Sequence, residues 1–406
     1  MKGFFEIKHK RTESSRKEKN SLSCTSCGLF KDALTPMIQP YGNFNKRILI
    51  LGEAPGSTED ERGKPWQGKT GRLLKRTCSK LGIDLFEDCV SINAVNCRPS
   101  GNKTPTKQQI VCCWKVMVEK AIKEYAPDII ILLGGPALIS FLDNRWKKNL
   151  GGITRWRGWT IPDQDYRAWV CPTFPLSYVE RMQNEAVDDI WESDLQQAFS
   201  KIGEKLPVFI PPKIDIIEDL SPLNDIDADM IAFDYETTGI KPHGKGHRIV
   251  SCAVADKEDH AYSFLLPKTR EERLPLINLL QNNTIAKIAQ SMKFEDHWTE
   301  RRLYTSVHNW GFDPMLSSHI LDNREGVCGL KFQAYVNFGV VGYDNEISPY
   351  LQSGDKNANA INKIHELLKK PGGKEKLLTY GGYDAVLARL LAKLHMNKID
   401  YDFLPF

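Results

Sequence analysis

Apolar positions fall into two regimes along this 406-residue chain. In the first, four short apolar runs recur, Arg47 to Leu51, Cys89 to Val95, Asp128 to Leu133 and Ala168 to Cys171, with helix-spaced hydrophobic residues between them. Strands alternating with helices predict an α/β domain whose largely parallel sheet is covered on both faces. Ligands of such sheets bind beyond the carboxyl ends of the strands, so chemistry is expected just after each run.

The second regime starts at Met230-Ile-Ala-Phe-Asp-Tyr-Glu-Thr-Thr-Gly239, followed by apolar runs at Ile249 to Ala255 and Ala261 to Leu266. Only Asp256-Lys-Glu-Asp259 separates the last two, which predicts an antiparallel meander, and helical patterns follow it. A mixed sheet with flanking helices is expected. Between the regimes, Pro207-Val-Phe-Ile-Pro-Pro212 and the acidic and turn residues after it read as a stiff connector. The expected order is a tail over 1–20, a first domain over 21–205, a connector over 206–226 and a second domain over 227–406.

Composition narrows this only modestly. Hydrophobic content of 41% and charged content of 26% are those of a water-soluble globular chain. The most apolar stretch, Ile129 to Leu142, is interrupted by Gly-Gly-Pro and is too short to span a bilayer, so no membrane is expected. With no apolar signal core at the N-terminus, a cytoplasmic location follows. A net charge of +4 permits a nucleic-acid partner without pointing to one, and its excess gathers in Lys2, Lys8, Lys10, Arg11, Arg16, Lys17 and Lys19. Ten cysteines without an export signal argue against a disulfide framework and leave metal ligation by a subset open.

Candidate chemistry in the second half begins with Asp234 and Glu236, which period-two alternation places on one face of a strand. Two adjacent acids repel, and a cation is the natural reason to hold them together. Lys287-Ile-Ala-Gln-Ser-Met-Lys-Phe-Glu295 brings a third carboxylate at the start of a helix, and Tyr380-Gly-Gly-Tyr-Asp384 brings a tyrosine and a fourth acid on one helical face. In this order the motifs resemble the DEDD-type 3′→5′ exonucleases of the tyrosine subclass, above all the proofreading domain of family A DNA polymerases. An Asp-x-Met-Leu element of that family is matched in Phe312-Asp-Pro-Met-Leu-Ser-Ser-His-Ile-Leu321. The resemblance covers about residues 227 to 395. It implies a ribonuclease H-like fold, two Mg²⁺ or Mn²⁺ held by Asp234, Glu236, Glu295 and Asp384, water oriented by Tyr380, and release of nucleoside 5′-monophosphates. The family has Asn and Asp where this chain has Ser291 and Glu295, so Asp296 competes with Glu295 as the third carboxylate.

In the first half, the loops after the four runs are Gly52-Glu-Ala-Pro-Gly56, Asn93-Ala-Val-Asn-Cys-Arg-Pro99, Leu133-Gly-Gly-Pro136 and Pro172-Thr-Phe-Pro-Leu-Ser-Tyr178. With Cys24-Thr-Ser-Cys27, they resemble the family-4 uracil-DNA glycosylases over residues 21 to about 200. The resemblance implies a [4Fe-4S] cluster on Cys24, Cys27, Cys97 and Cys113, the last preferred over Cys112 by spacing. It also implies a base pocket with Trp66 stacking, Asn93 reading the uracil edge and Glu53 near the attacking water. Arg98, Lys103 and Lys107, in the loop between two cluster ligands, are expected against the phosphate backbone. One departure matters: Pro175 stands where that family has a histidine that donates a hydrogen bond to the departing base, and proline has no donor. Little or no uracil excision is therefore expected.

A glycosylase-like domain ahead of a proofreading domain resembles the front of a phage family A DNA polymerase. The expected role is a 3′→5′ exonuclease of phage replication acting on single-stranded or frayed DNA ends in the host cytoplasm. It would serve as a separate proofreading subunit or as part of a split polymerase, with a polymerase subunit as partner. The alternatives are a base-excision glycosylase and a non-catalytic DNA-binding module.

Overall fold

A computed structural model describes residues 24, 26–143, 145–147, 149–353 and 360–399. The tail expected over 1–20 lies outside the described residues. The chain divides into two units, one holding the described residues up to Phe209 with Tyr335–Val340, the other holding Ile210–Ala334 and the described residues from Val341 onward.

The first unit is built on strands β1 (Ile48–Gly52), β2 (Cys89–Asn93), β3 (Ile129–Leu133), β4 (Ile161–Asp163) and β5 (Ala168–Thr173), in the order β2-β1-β3-β5-β4. All neighbours run parallel except β4, which pairs antiparallel with β5. Every residue of these strands is buried, which is why they read as continuous apolar runs rather than as alternation. Three-residue β4, centred on Pro162, carries no periodic signal and was not expected. One face of the sheet packs Ile48, Ile50, Ile129 and Ile131 against Leu74, Trp191 and Leu195 of the covering helices.

In the second unit, β6 (Lys213–Ile216), β7 (Met230–Thr237), β8 (Ile249–Lys257), β9 (His260–Leu265), β10 (Ala286–Ile288) and β11 (Trp310–Phe312) form a mixed sheet in the order β11-β10-β7-β8-β9-β6. The meander β7-β8-β9 is antiparallel, as expected, while β10, β11 and β6 add parallel to their neighbours. The connector expected over 206–226 needs correction: it contains β6, and the second unit begins at Ile210. Its edge position leaves β6 half exposed with polar residues along it, so its sequence looks like loop.

Period-two alternation on β7 sorts its residues between two environments. Ile231, Phe233 and Tyr235 enter a core with Leu276, Leu280 and Trp298. Ala232 faces the 24-residue helix Gly373–Met396 together with Ala253, Ala255 and Ala261 of the adjoining strands. That helix presents Ala385, Ala388 and Ala392 in return, and a Cβ added at Gly381 would come within 3.8 Å of Ala253 and 3.9 Å of Glu236. Small residues on both surfaces thus let the helix axis approach the sheet closely, and this approach carries Asp384 to the strand acids.

Ala388→Leu is expected to overpack this seam and lower unfolding stability by about 1–3 kcal/mol. Urea denaturation with an unchanged m-value checks it.

Candidate active site and base-binding cleft

In the second unit Asp234, Glu236 and Asp384 each offer an oxygen, and the three oxygens lie within 4.8 Å of one another. Glu236 and Asp384 are buried, and Asp234 is partly exposed. Desolvation first, then repulsion from Asp384, pushes the Asp234 carboxyl up to about 8. Desolvation followed by repulsion from Asp234 and Asp384 holds Glu236 well above the usual range.

Glu295 sits on the helix Met292–Trp298 at 2% exposure. Burial and the charges of Asp234 and Glu236 raise its carboxyl, with a backbone hydrogen bond from Tyr235 opposing. Its Oε2 is buried with no hydrogen-bond partner. Asp296, the rival candidate, instead accepts the Trp310 indole N–H at 3.2 Å. A triad of crowded acids and an orphaned carboxylate oxygen beside it form a donor set suited to hard divalent cations. The oxygen-rich cluster therefore fits the metal ions that an exonuclease site implies.

Asp313 fixes the geometry of this helix. Its carboxylate accepts the backbone N–H groups of Ser291 (3.1 Å) and Met292 (2.9 Å) and also caps the helix Pro314–Leu321 through Met315 (2.8 Å). Ser291 is held at φ 75°, an uncommon conformation for a residue with a side chain. The Asp-x-Met-Leu element is thus the clamp that orients Glu295.

Tyr380 lies one turn before Asp384 on the long helix, buried beside the acids, whose charges add to burial in raising its hydroxyl. Two neighbours were not anticipated from sequence. Lys331 is ion-paired with both oxygens of Asp384, and the Tyr343 hydroxyl donates to Asp384 Oδ1 at 2.7 Å. Neither has a local signal: a lone lysine among apolar residues reads as a side chain reaching for solvent, and Tyr343 follows Gly342 outside any recognised motif.

In the first unit, a cleft of about 300 Å³ opens at the carboxyl ends of the parallel strands. Glu53 follows β1, Asn93 ends β2, Leu133 ends β3 and Pro175 follows β5, and all four line it with Trp66. A Cβ at Gly52 would stand 2.3 Å from Asn93 Oδ1 and 2.9 Å from the Trp66 ring, so glycine there is what lets the two side chains converge. Burial raises Glu53, against the opposing Arg181 charge and a hydrogen bond from Thr104. Glu59, not anticipated, staples the cleft's loops: its Oε1 accepts Gln67 N–H (2.9 Å) and Gly68 N–H (2.7 Å), and its Oε2 accepts Gly56 N–H (3.1 Å). Pro175 lines the wall, its ring within 2.6 Å of where a Gly134 Cβ would be.

Cys24, Cys27, Cys97 and Cys113 line one apolar pocket, together with Cys112, over which spacing had preferred Cys113. Met37 N–H points at Cys97 Sγ (3.3 Å) and Asn96 Nδ2 at Cys113 Sγ (3.5 Å). Burial pushes the Cys113 thiol up to about 12 against that donor. Converging thiols with N–H donors aimed at their sulfurs in an apolar setting fit an iron-sulfur centre. Of the basic trio, Lys103 lines the cleft, Arg98 donates to Asn102 Oδ1 at 2.7 Å, and Lys107 pairs with Asp143 at 2.6 Å.

Comparison with known proteins agrees with this division. The uracil DNA glycosylase superfamily matches residues 39–196, and a 3′-5′ exonuclease family matches residues 214–361. The type-4 uracil-DNA glycosylase of Thermotoga maritima is 35% identical over 182 residues, 45% of this chain and 91% of that enzyme. A DNA polymerase of Bacillus phage SP01 is 24% identical over 361 residues; the match covers 78% of this chain and 37% of the polymerase. Among solved structures, Brucella melitensis NrnC with bound Mg²⁺ is similar over 48% of this chain and 84% of its own, at 16% identity and a TM-score of 0.34. The chain belongs to the uracil-DNA glycosylase superfamily through its first half and carries a 3′-5′ exonuclease domain in its second. Among the described residues, no helix is long and apolar enough to cross a membrane.

Folded Asp234 keeps its proton to about 8, against a usual 3.8, so the metal-free protein should lose stability as pH rises between these values. Asp234→Asn should remove the Asp234 share of that fall: in EDTA its melting temperature should exceed that of the wild type at pH 8 and converge with it at pH 4.

Proposed function

We propose that this protein is a 3′→5′ DNA exonuclease of the tyrosine DEDD type, serving proofreading in phage DNA replication. The observation that supports it most is the convergence of Asp234, Glu236 and Asp384 within 4.8 Å beside the unsatisfied Glu295 oxygen. Divalent cations, when bound, would activate water and offset the charge of the phosphodiester. Asp234, Glu236, Glu295 and Asp384 would hold them, and Glu295 is favoured over Asp296 because the latter is engaged by Trp310. Tyr380 would orient the water that attacks phosphorus as the bond to the 3′ oxygen breaks. That oxygen leaves as a hydroxyl, and a nucleoside 5′-monophosphate is released.

The first domain is proposed to engage DNA through its cleft with impaired excision. Trp66 would stack a base, Asn93 would read its edge, and Lys103 would sit near the backbone entering the cleft. Pro175 leaves the departing anion without a pre-aimed donor at that position, a loss worth on the order of a hundredfold in rate. A [4Fe-4S] cluster on Cys24, Cys27, Cys97 and Cys113 would hold the loop that supplies Pro99, Asn102 and Lys103 to the cleft wall. A separate polymerase subunit would be the partner.

A 5′-labelled oligonucleotide with an internal uracil tests both halves. Shortening from the 3′ end in Mg²⁺, lost in EDTA and in Asp234→Ala, is expected; an unaffected Asp234→Ala rate would refute the site. Free uracil should be scarcely released by the wild type and released about a hundredfold faster by Pro175→His. Brisk wild-type release abolished by Asn93→Ala would instead favour a working glycosylase. Protein purified anaerobically should show visible iron-sulfur absorption, weakened in Cys97→Ser.

A further inference from the structure

Lys331 places an ammonium inside the acid cluster, where nothing in the expected catalytic set calls for one. Its side chain is 14% exposed and its Nζ contacts both oxygens of Asp384. The Nζ also lies 4.4 Å from the Tyr380 ring centroid and 4.6 Å from that of Tyr343, so two aromatic faces hold it in place. Its charge is felt by Asp234 and Glu236 as well, lowering both against the desolvation that raises them.

Ammonium and divalent cations therefore compete for one set of oxygens. With Lys331 Nζ on both oxygens of Asp384, a divalent ion entering beside Asp234 and Glu236 meets the ammonium's charge and must share those oxygens or displace it. Once two divalent ions balance four carboxylates, the ammonium is electrically redundant within the protein. The scissile phosphodiester then brings a negative charge, which grows in the transition state. A flexible four-carbon stem lets the ammonium move a short way from Asp384 to a non-bridging phosphate oxygen.

Building on the exonuclease reading above, we infer that Lys331 is a stand-in cation: it occupies the acid cluster before metal enters and pairs with the scissile phosphate afterwards. It thus restrains metal loading without DNA and assists hydrolysis with DNA. A residue needed merely for packing would weaken both when replaced. A stand-in cation moves them in opposite directions.

The test uses the full chain at fixed pH. Free Mn²⁺ is followed by electron paramagnetic resonance during titration without DNA, and single-turnover shortening of a 5′-labelled oligonucleotide is measured at saturating Mn²⁺. For Lys331→Met, Mn²⁺ binding should tighten about tenfold. Hydrolysis should slow on the order of a hundredfold. Lys331→Arg should recover much of the rate. Mn²⁺ binding that is unchanged or weaker in Lys331→Met, with a native far-ultraviolet circular dichroism spectrum, overturns the competition; an unchanged rate overturns the role toward phosphate. If Lys331→Met unfolds, Lys331→Gln is read by the same two criteria. Asp234→Asn is the control for the underlying site: wild-type Mn²⁺ binding that this substitution does not weaken defeats the exonuclease reading itself.

Discussion

Mutual repulsion among four crowded carboxyl groups, three of them buried, is the constraint around which the second domain is arranged. Asp234 and Glu236 arrive on one strand, Glu295 on a short helix and Asp384 on the 24-residue helix Gly373–Met396. Each is desolvated where it lands, and Asp234, Glu236 and Glu295 are held at raised proton affinity as a result. Such a cluster costs stability unless a cation joins it, so the packing that enforces it must be strong elsewhere. The alanine seam between sheet and helix and the hydrophobic core on the opposite face of β7 supply that enforcement.

The first domain solves a different problem with related means. Its cleft is assembled from loops that follow separate parallel strands, and a single short helix, Ser57–Arg62, ties them together. Glu59 binds the amides of the loops that frame Trp66, while Asp60 binds the backbone of Leu34 (3.1 Å) and Thr35 (2.9 Å). That segment leads directly to Met37, whose N–H meets Cys97 Sγ. The cleft and the cysteine pocket are thus two ends of one hydrogen-bonded unit, and order in one supports order in the other.

Most of the layered architecture could be read from the chain because long apolar runs and period-two alternation are strong signals. The four parallel strands after Arg47 and the β7-β8-β9 meander were legible for that reason. β4, β10 and β11 were not, since three residues cannot establish a period, and β6 was hidden by its polar edge character. Among site residues, the acids were readable because each sits in a short motif with a fixed neighbour. Lys331 and Tyr343 were invisible because their meaning comes from Asp384, 53 and 41 residues away. The same holds for Asp60 and Glu59, where an acidic pair opening a helix looks like ordinary capping.

The account stands on the acid cluster being a site for divalent ions. Equilibrium dialysis against millimolar Mn²⁺, with metal counted per chain after subtraction of iron, addresses it most directly. Two Mn²⁺ per wild-type chain, falling when Asp384 is changed to Asn, is the outcome the structure leads one to expect. Chains that retain no Mn²⁺ under those conditions would contradict it.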